Sequence, residues 1–236
     1  MNIDNNSEDI NMNSDSQHAS KRRVFGYAEV VFDLIYLTSA LAIGLYLLAM
    51  FDSSVSRLAA LAAFVLVGGD AFHLVPRIAS VITADSKRYQ RALGIGKCVA
   101  SITMTAFYVI LWFVLLRFIN SPNIFLFTSI YITCAVIRVL LCLPKQNQWL
   151  AVEQPVDWGI YRNIPFFLMG LMVVGLCFIN SGVASLVWIG CAVLLSFLFY
   201  LPVVLWVNKN RIIGMLMLPK SLAYLWILLL LVSLVR

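Results

Sequence analysis

The chain has 236 residues, of which 62% are hydrophobic and 12% are charged, and its mean hydropathy is +0.92. This composition excludes a water-soluble globular domain, because most of the outer surface must be solvated by lipid. The formal net charge of +6 arises largely from basic residues between and inside apolar runs, so it gives no reason to expect nucleic acid as a partner.

The first 24 residues differ in composition from the rest of the chain. Asn, Ser and Asp are frequent there, and the apolar area is too small to offset the entropy of ordering. We therefore predict a disordered polar tail over 1–24 and a transmembrane domain over 25–236. The apolar run that follows Lys21, Arg22 and Arg23 is too long for a signal peptide and lacks a cleavage pattern, so we expect it to remain as the first helix.

Seven apolar runs are long enough to cross a bilayer, whose hydrocarbon core of about 30 Å needs about 20 helical residues. Polar and apolar residues do not alternate in these runs, so helices are predicted rather than the strands of a barrel. The sequence thus predicts an all-α, polytopic membrane protein, a seven-helix transmembrane bundle. The predicted helices cover 28–50, 58–82, 92–117, 123–143, 159–180, 184–206 and 213–235.

Lys and Arg are distributed unevenly between the connections at the two ends of these helices. Cytoplasmic connections normally carry the excess of both residue types. A cytoplasmic N-terminus places nine of them on the inner side and three, Arg57, Arg117 and Arg236, on the outer side. The sequence therefore predicts a multi-pass protein of the cell membrane with its N-terminus in the cytoplasm.

Ionisable residues inside the runs concentrate toward the predicted cytoplasmic side. A charge at membrane depth costs roughly 2.5 to 3.5 kcal/mol on insertion scales, so Asp70 and His73 are expected to face protein or a wet cavity. Each run adds polar residues at helical spacing, which places them on one face. In chain order these are Glu29, Asp33, Tyr36, Asp70, His73, Arg77, Lys97, Ser101, Thr105, Tyr108, Tyr131, Arg138, Asp157, Arg162, Asn163, Ser196, Tyr200, Lys220 and Tyr224.

Prolines lie in the same halves of four runs, at Pro76, Pro165, Pro202 and Pro219. Each proline removes a backbone donor and can kink its helix. Kinks and charges together predict a polar cavity that opens to the cytoplasm. The alternative is that basic side chains near helix ends extend to the headgroups, but the short side chain of Asp70 cannot do so from the middle of a run.

The basic residues of the predicted cavity slightly outnumber its acidic residues. Arginine and lysine both suit phosphate, so we predict that the partner is a membrane lipid or anionic amphiphile, such as a lysophospholipid. The predicted substrate-binding residues are Arg77, Lys97, Arg138, Lys220 and Tyr108. The alternative is that these charges pair with one another and only hold the bundle together.

No metal site and no cofactor are predicted. The five cysteines show no CxxC pair and no metal-ligand spacing, and we interpret them as small core residues. Zinc requires three or four protein ligands, whereas the chain has two histidines, of which His18 lies in the polar tail. Tryptophans near the ends of the runs, including Trp112 and Trp149, are predicted to be interface anchors.

A short part of the chain resembles a known family of membrane proteins. The residues concerned are Gly69-Asp70-Ala71-Phe72-His73-Leu74-Val75-Pro76, then Gly94-Ile95-Gly96 and Phe107-Tyr108. This stretch of about 40 residues resembles the YhhN family of lysoplasmalogenase-like proteins. The resemblance implies a multi-helix membrane hydrolase that cleaves the vinyl-ether bond of lysoplasmalogens, with Asp70 as the central aspartate. The chain departs from the family pattern of eight spans and a late second aspartate.

The chemistry implied for Asp70 can be stated in physical terms. A vinyl ether hydrolyses by protonation of an alkene carbon, after which water attacks the oxocarbenium ion. A carboxyl surrounded by hydrocarbon favours its protonated form, so Asp70 is the predicted general acid. His73 or Asp33 is predicted to orient the water, and these three residues form the predicted catalytic set. The alternative is that Asp70 is a structural hydrogen-bond partner of His73 or Lys97.

Other classes of function remain open at this level. Asp and His chains within membranes also occur in proton- or ion-coupled transporters, although the nearly uncharged outer halves of the runs favour a one-sided site. The position of Lys220 on the seventh of seven helices suggests a receptor or photoreceptor as another function. The predicted topology, however, is opposite to that of microbial rhodopsins. A noncatalytic membrane protein is the third alternative.

Overall fold

The computed structural model describes residues 4–119 and 123–236, without the side chains of residues 4–25 and of residue 211. The described chain forms seven long helices and no strand, which confirms the predicted all-α bundle. Each helix is long and apolar enough to cross a membrane. Their bounds are α1 Asp4–Met50, α2 Ser54–Ile82, α3 Ser86–Leu115, α4 Ile124–Cys142, α5 Val156–Ile179, α6 Ala184–Trp206 and α7 Met217–Val235.

The backbone of the polar N-terminal segment is helical from Asp4, where the composition predicted a disordered tail. Helix α1 therefore begins well before its membrane-spanning part, which is Gly26–Met50. Residues 1–3 and the side chains of residues 4–25 lie outside the description. The division of the chain at residue 24 stays a prediction.

The helices pack in a closed ring in chain order. Each helix contacts the next one along the chain, and α7 returns to contact α1 and α2. Helix α3 also contacts α5 across the ring. Short connections between apolar helices make antiparallel neighbours the natural packing, so the predicted order of spans translates directly into the order around the bundle.

The closest approach lies between α2 and α3. A Cβ atom at Gly96 would collide with the backbone of Phe72 and His73, and one at Gly69 would collide with the side chain of Thr103. Glycine therefore lets the two backbones come into direct contact at Gly96 and makes room for the Thr103 side chain at Gly69. This contact sets the distance between the polar residues of α2 and those of α3.

The buried core fills the half of the bundle away from the polar residues. Leu66, Leu111, Val173 and Ile227 are at most 1% exposed there. Large apolar side chains such as Leu198, which is 65% exposed, cover the outside of the bundle. An apolar exterior of this kind suits a lipid environment.

Three of the four prolines named above lie inside helices, and the fourth lies at the start of one. Pro76, Pro165 and Pro202 lie inside α2, α5 and α6. Pro219 instead lies in the first turn of α7, where no intrahelical bond from its nitrogen is lost. A six-residue 3₁₀ segment, Arg211–Leu216, precedes α7.

Candidate functional site

A cavity of about 470 Å³ lies at the end of the bundle where α3, α5, α7 and the membrane-spanning part of α1 begin and where α2, α4 and α6 end. All seven helices contribute to its wall. The structure thereby confirms the predicted polar cavity, while its opening to the cytoplasm stays a prediction. The polar side chains on its wall are Glu29, Asp70, His73, Arg77, Lys97, Ser101, Arg138, Glu153, Gln154, Arg162, Asn163, Tyr200, Asn208 and Lys220.

Asp70 is held by a tyrosine of the neighbouring helix. The Tyr36 hydroxyl donates a hydrogen bond of 2.6 Å to Asp70 Oδ2. Tyr36 itself is 1% exposed, so the donor of this bond is buried within the bundle, while Asp70 lines the cavity. The hydrogen-bond partner of Asp70 is thus Tyr36 rather than His73 or Lys97, and the bond fixes the carboxyl between α1 and α2.

The other two polar residues of α2 that line the cavity, His73 and Arg77, differ in their hydrogen bonds. Arg77 Nη2 donates to Glu29 Oε2 at 2.8 Å, which forms an ion pair between α2 and α1. His73 lies between Asp70 and Arg77 along the helix. Its Nδ1 atom is buried and has no hydrogen-bond partner among the residues that the structure describes. Arg77 is therefore paired within the protein, whereas the buried Nδ1 of His73 is unsatisfied among the described residues.

Arg138 is a buried cation without an acidic partner. The residue is 2% exposed, and its guanidinium carbon lies 3.3 Å from the centre of the Phe166 ring. Within the described parts of the chain, Arg138 forms no ion pair, and its Nε and Nη1 atoms have no hydrogen-bond partner. Burial of an unpaired charge is costly unless something compensates it. Arg138 therefore marks a place for an anion.

Lys220 has similar surroundings on the opposite side of the ring. It is 8% exposed, and its Nζ atom lies 4.4 Å from the centre of the Tyr200 ring and 5.3 Å from that of Tyr224. No carboxylate of the described residues lies within 4.0 Å of Lys220 or of Lys97. Aromatic faces stabilise a cation in part but do not neutralise it.

Arg162 stabilises the connection between α4 and α5 through contacts with neighbouring side chains. Its guanidinium lies 4.2 Å from the Trp149 ring and donates to Asn147 Oδ1 at 2.9 Å and to Gln154 Oε1 at 3.2 Å. Trp149 Nε1 donates to the Cys142 carbonyl at 2.9 Å. Arg162 lines the cavity, as its position in the sequence predicted. Together with Trp149, for which an interface anchor was predicted, it holds the connection between α4 and α5 against the cavity.

Two of the predicted site residues do not line the cavity. Asp33 is 4% exposed and lies on α1 between Glu29 and Tyr36. Tyr108 is fully buried in an aromatic cluster, with its hydroxyl 3.4 Å from Ser196 Oγ. The rotation of α1 and α3 about their axes turns these side chains into the bundle. We therefore leave Asp33 and Tyr108 out of the candidate site.

Sequence reasoning missed three polar residues of the cavity wall, Glu153, Gln154 and Asn208. It also missed the partners of residues that it did name. The spacing of Tyr36 from Glu29 predicts its position on the polar face of α1 but not its hydrogen bond to Asp70. Asn163 accepts a hydrogen bond of 3.0 Å from Tyr200, a pairing between α5 and α6 that has no sequence signature. Within the described residues, no group of three or more His, Cys, Asp or Glu side chains is placed to hold a metal ion.

Comparisons of the chain with protein-family models, with curated proteins and with solved structures found no match. The resemblance to lysoplasmalogenase-like proteins stays a prediction.

Proposed function

We propose that this protein is an integral membrane hydrolase that acts on a lysophospholipid-type amphiphile in the cavity. One observation carries the proposal: a single cavity brings the immobilised carboxyl of Asp70 together with the buried, unpaired cations Arg138 and Lys220. An acid and a phosphate-binding group are the two functions that hydrolysis of such a lipid requires.

The shape of the site supports a single-chain lipid. A volume of about 470 Å³ lies within the usual range of ligand pockets. Its wall also contains apolar side chains, including Met104, Phe166 and Val203. The headgroup would lie among the basic residues and the first part of the chain along this apolar wall. We propose that the cavity opens to the cytoplasm, because the Lys and Arg excess lies at that end of the bundle.

The proposed reaction is hydrolysis of a vinyl ether. Because Tyr36 occupies Asp70 Oδ2, Oδ1 is the oxygen that delivers a proton to the alkene carbon. Water in the cavity beside His73 attacks the resulting oxocarbenium carbon and returns a proton to Asp70. The hemiacetal then breaks down to an aldehyde and a glycerophosphate alcohol, so the enzyme ends in its starting state.

Replacement of Asp70 tests this proposal. We expect Asp70→Asn to lower aldehyde release from a 1-alkenyl lysophospholipid at least about 100-fold, the usual scale for loss of a general acid. The measurement is the initial rate of the purified protein in lipid nanodiscs. Asp52→Asn is the matched control, since Asp52 is almost fully exposed and outside the cavity, and it should keep the wild-type rate.

Two outcomes would overturn the proposal. One is full activity of the Asp70→Asn protein. The other is no aldehyde release from any alkenyl lipid, together with proton-coupled uptake into vesicles that depends on Asp70, which would establish a transporter.

A further inference from the structure

We infer that the cavity binds a phosphomonoester group through Arg138 and Lys220, with Lys97 as the third cation. The ligand's headgroup is then a dianion rather than a zwitterion. This inference rests on the proposed function for the lipid nature of the ligand, but the anion site itself stands on the geometry of the basic residues.

The first support is the charge that the cavity leaves uncompensated. Glu29 neutralises Arg77 at 2.8 Å, and Arg162 is held by two amides and an indole. Among the described residues that line the cavity, this leaves Lys97, Arg138 and Lys220 without an acidic partner within 4.0 Å, against the carboxyl of Asp70 and the exposed Glu153. The interior of the cavity therefore has an excess of positive charge, which a dianion offsets better than a zwitterion does.

The second support is the kind of contact that Arg138 lacks. The Phe166 ring covers one face of the guanidinium at 3.3 Å and stabilises its charge. The N–H donors, however, point away in the plane of the group, where Nε and Nη1 find no acceptor among the described residues. Phosphate oxygens supply several acceptors in this plane. The ring and the orphaned donors together prepare Arg138 for an oxyanion.

The third support is the position of the cations on separate helices. Lys97 lies on α3, Arg138 on α4 and Lys220 on α7, and all three line one cavity. A phosphomonoester has three terminal oxygens, so one group can accept hydrogen bonds from three directions. A ligand bound in this way would tie the three helices together and stabilise the bundle.

The acidic residues argue against a zwitterionic headgroup. The primary ammonium group of an ethanolamine headgroup pairs best with a carboxylate, but Glu29 is paired with Arg77 and Asp70 accepts from Tyr36. Glu153 lines the cavity but is exposed at its edge. The interior of the cavity therefore matches a phosphate without an attached amine.

Equilibrium binding to the full chain in nanodiscs tests the inference. The ligands share one acyl chain and carry a phosphomonoester, a phosphoethanolamine or a neutral glycerol headgroup. Glycerol 3-phosphate, which has the phosphomonoester without the chain, completes the series. We expect the phosphomonoester lipid to bind at least about tenfold more tightly than the other lipids. It should also raise the thermal unfolding temperature most.

Variants separate the anion site from general charge. Arg138→Gln and Lys220→Gln should each weaken binding of the phosphomonoester lipid by about 10- to 100-fold, the scale of a lost hydrogen bond to a charged group. Both should leave binding of the neutral lipid unchanged. Arg57→Gln is the matched control, since Arg57 is exposed at the other end of the bundle. The ligand series on the wild-type protein gives an answer even if a variant fails to fold.

The outcomes distinguish this inference from the proposed hydrolase. Selective binding that depends on Arg138, without hydrolysis of any alkenyl lipid, supports the anion site and overturns the enzyme. Equal binding of the three lipids overturns the inference and leaves the hydrolase proposal intact. Glycerol 3-phosphate binding as tightly as the lipid would retain the phosphomonoester site and overturn its lipid ligand.

Discussion

At the scale of single residues, the surroundings of each charge decide its role. Arg77 and Arg138 are both arginines in polar positions of membrane helices. Arg77 contacts Glu29 at 2.8 Å and joins two helices, whereas Arg138 contacts an aromatic ring and has open donors. Their spacing in the sequence predicted a cavity-facing position for each, but it could not separate a structural ion pair from a free cation.

Tyr36 is the residue through which Asp70 is positioned. Tyr36→Phe keeps the ring and removes the hydrogen bond of 2.6 Å to Asp70. We expect kcat to fall about tenfold or more, with an unchanged KM because Tyr36 does not line the cavity. Steady-state kinetics on the alkenyl lysophospholipid measure both quantities.

Tyr27→Phe is the control for this change, because Tyr27 lies on the same helix and is 54% exposed. It should match the wild-type protein. A rise in KM with unchanged kcat for Tyr36→Phe would show that Tyr36 contacts substrate and does not position Asp70.

At the scale of helices, the close contact of α2 and α3 determines the geometry of the cavity. The hydrophobic runs predicted both helices, with ends up to six residues from those observed, because length and apolar content are local properties. The contact itself depends on Gly69 and Gly96, which face a neighbouring helix. Glycine in a helix is compatible with many environments, so its role became evident only from the packed structure.

Gly96→Ala should separate these helices. The added Cβ meets the backbone of Phe72 and His73, which cannot rotate away as a side chain could. We expect a loss of about 1 to 3 kcal/mol in the free energy of unfolding, together with a loss of activity. Denaturant titration of the purified protein measures the first quantity.

Gly68→Ala provides the comparison, since a Cβ at Gly68 meets nothing within 4 Å. This change should be neutral or slightly stabilising, because alanine favours the helix. Equal stability of the Gly96→Ala and Gly68→Ala proteins would contradict the close contact of α2 and α3.

At the scale of the whole molecule, the polar cavity and the apolar core occupy opposite ends of one bundle. The cavity takes residues from all seven helices, while Leu111, Val173 and Ile227 fill the other half. This asymmetry follows from the distribution of charges along the chain. Antiparallel neighbours bring the start of one helix beside the end of the preceding helix.

The orientation in the membrane is testable by labelling. We expect a membrane-impermeant thiol reagent to label Asp52→Cys in intact cells and to label Lys209→Cys after permeabilisation, because the basic connections face the cytoplasm. Both positions are exposed. The wild-type chain, whose five cysteines lie within the helices, gives the background signal. The reverse pattern would place the cavity on the outer side.

Trp112 shows why depth along a helix is easier to predict than rotation about it. Its position near the end of a run predicted an interface anchor. The structure instead buries it to 1% exposure, stacked on Tyr131 at 4.3 Å with its Nε1 donating to Thr128. The position of Trp112 along the run was sufficient to predict its depth in the bundle. The direction of its side chain, by contrast, depended on packing against α4.

The amino-acid sequence by itself determined the seven helices, their order and the concentration of polar residues toward one end. These features depend on hydropathy and on helical spacing, which act over a few turns. Tertiary packing decided that Tyr36 donates a hydrogen bond to Asp70 and that Arg138 and Lys220 lack acidic partners among the described residues. It also decided that Asp33 and Tyr108 do not line the cavity. Such partnerships join helices distant in sequence, and small rotations of each helix select among them.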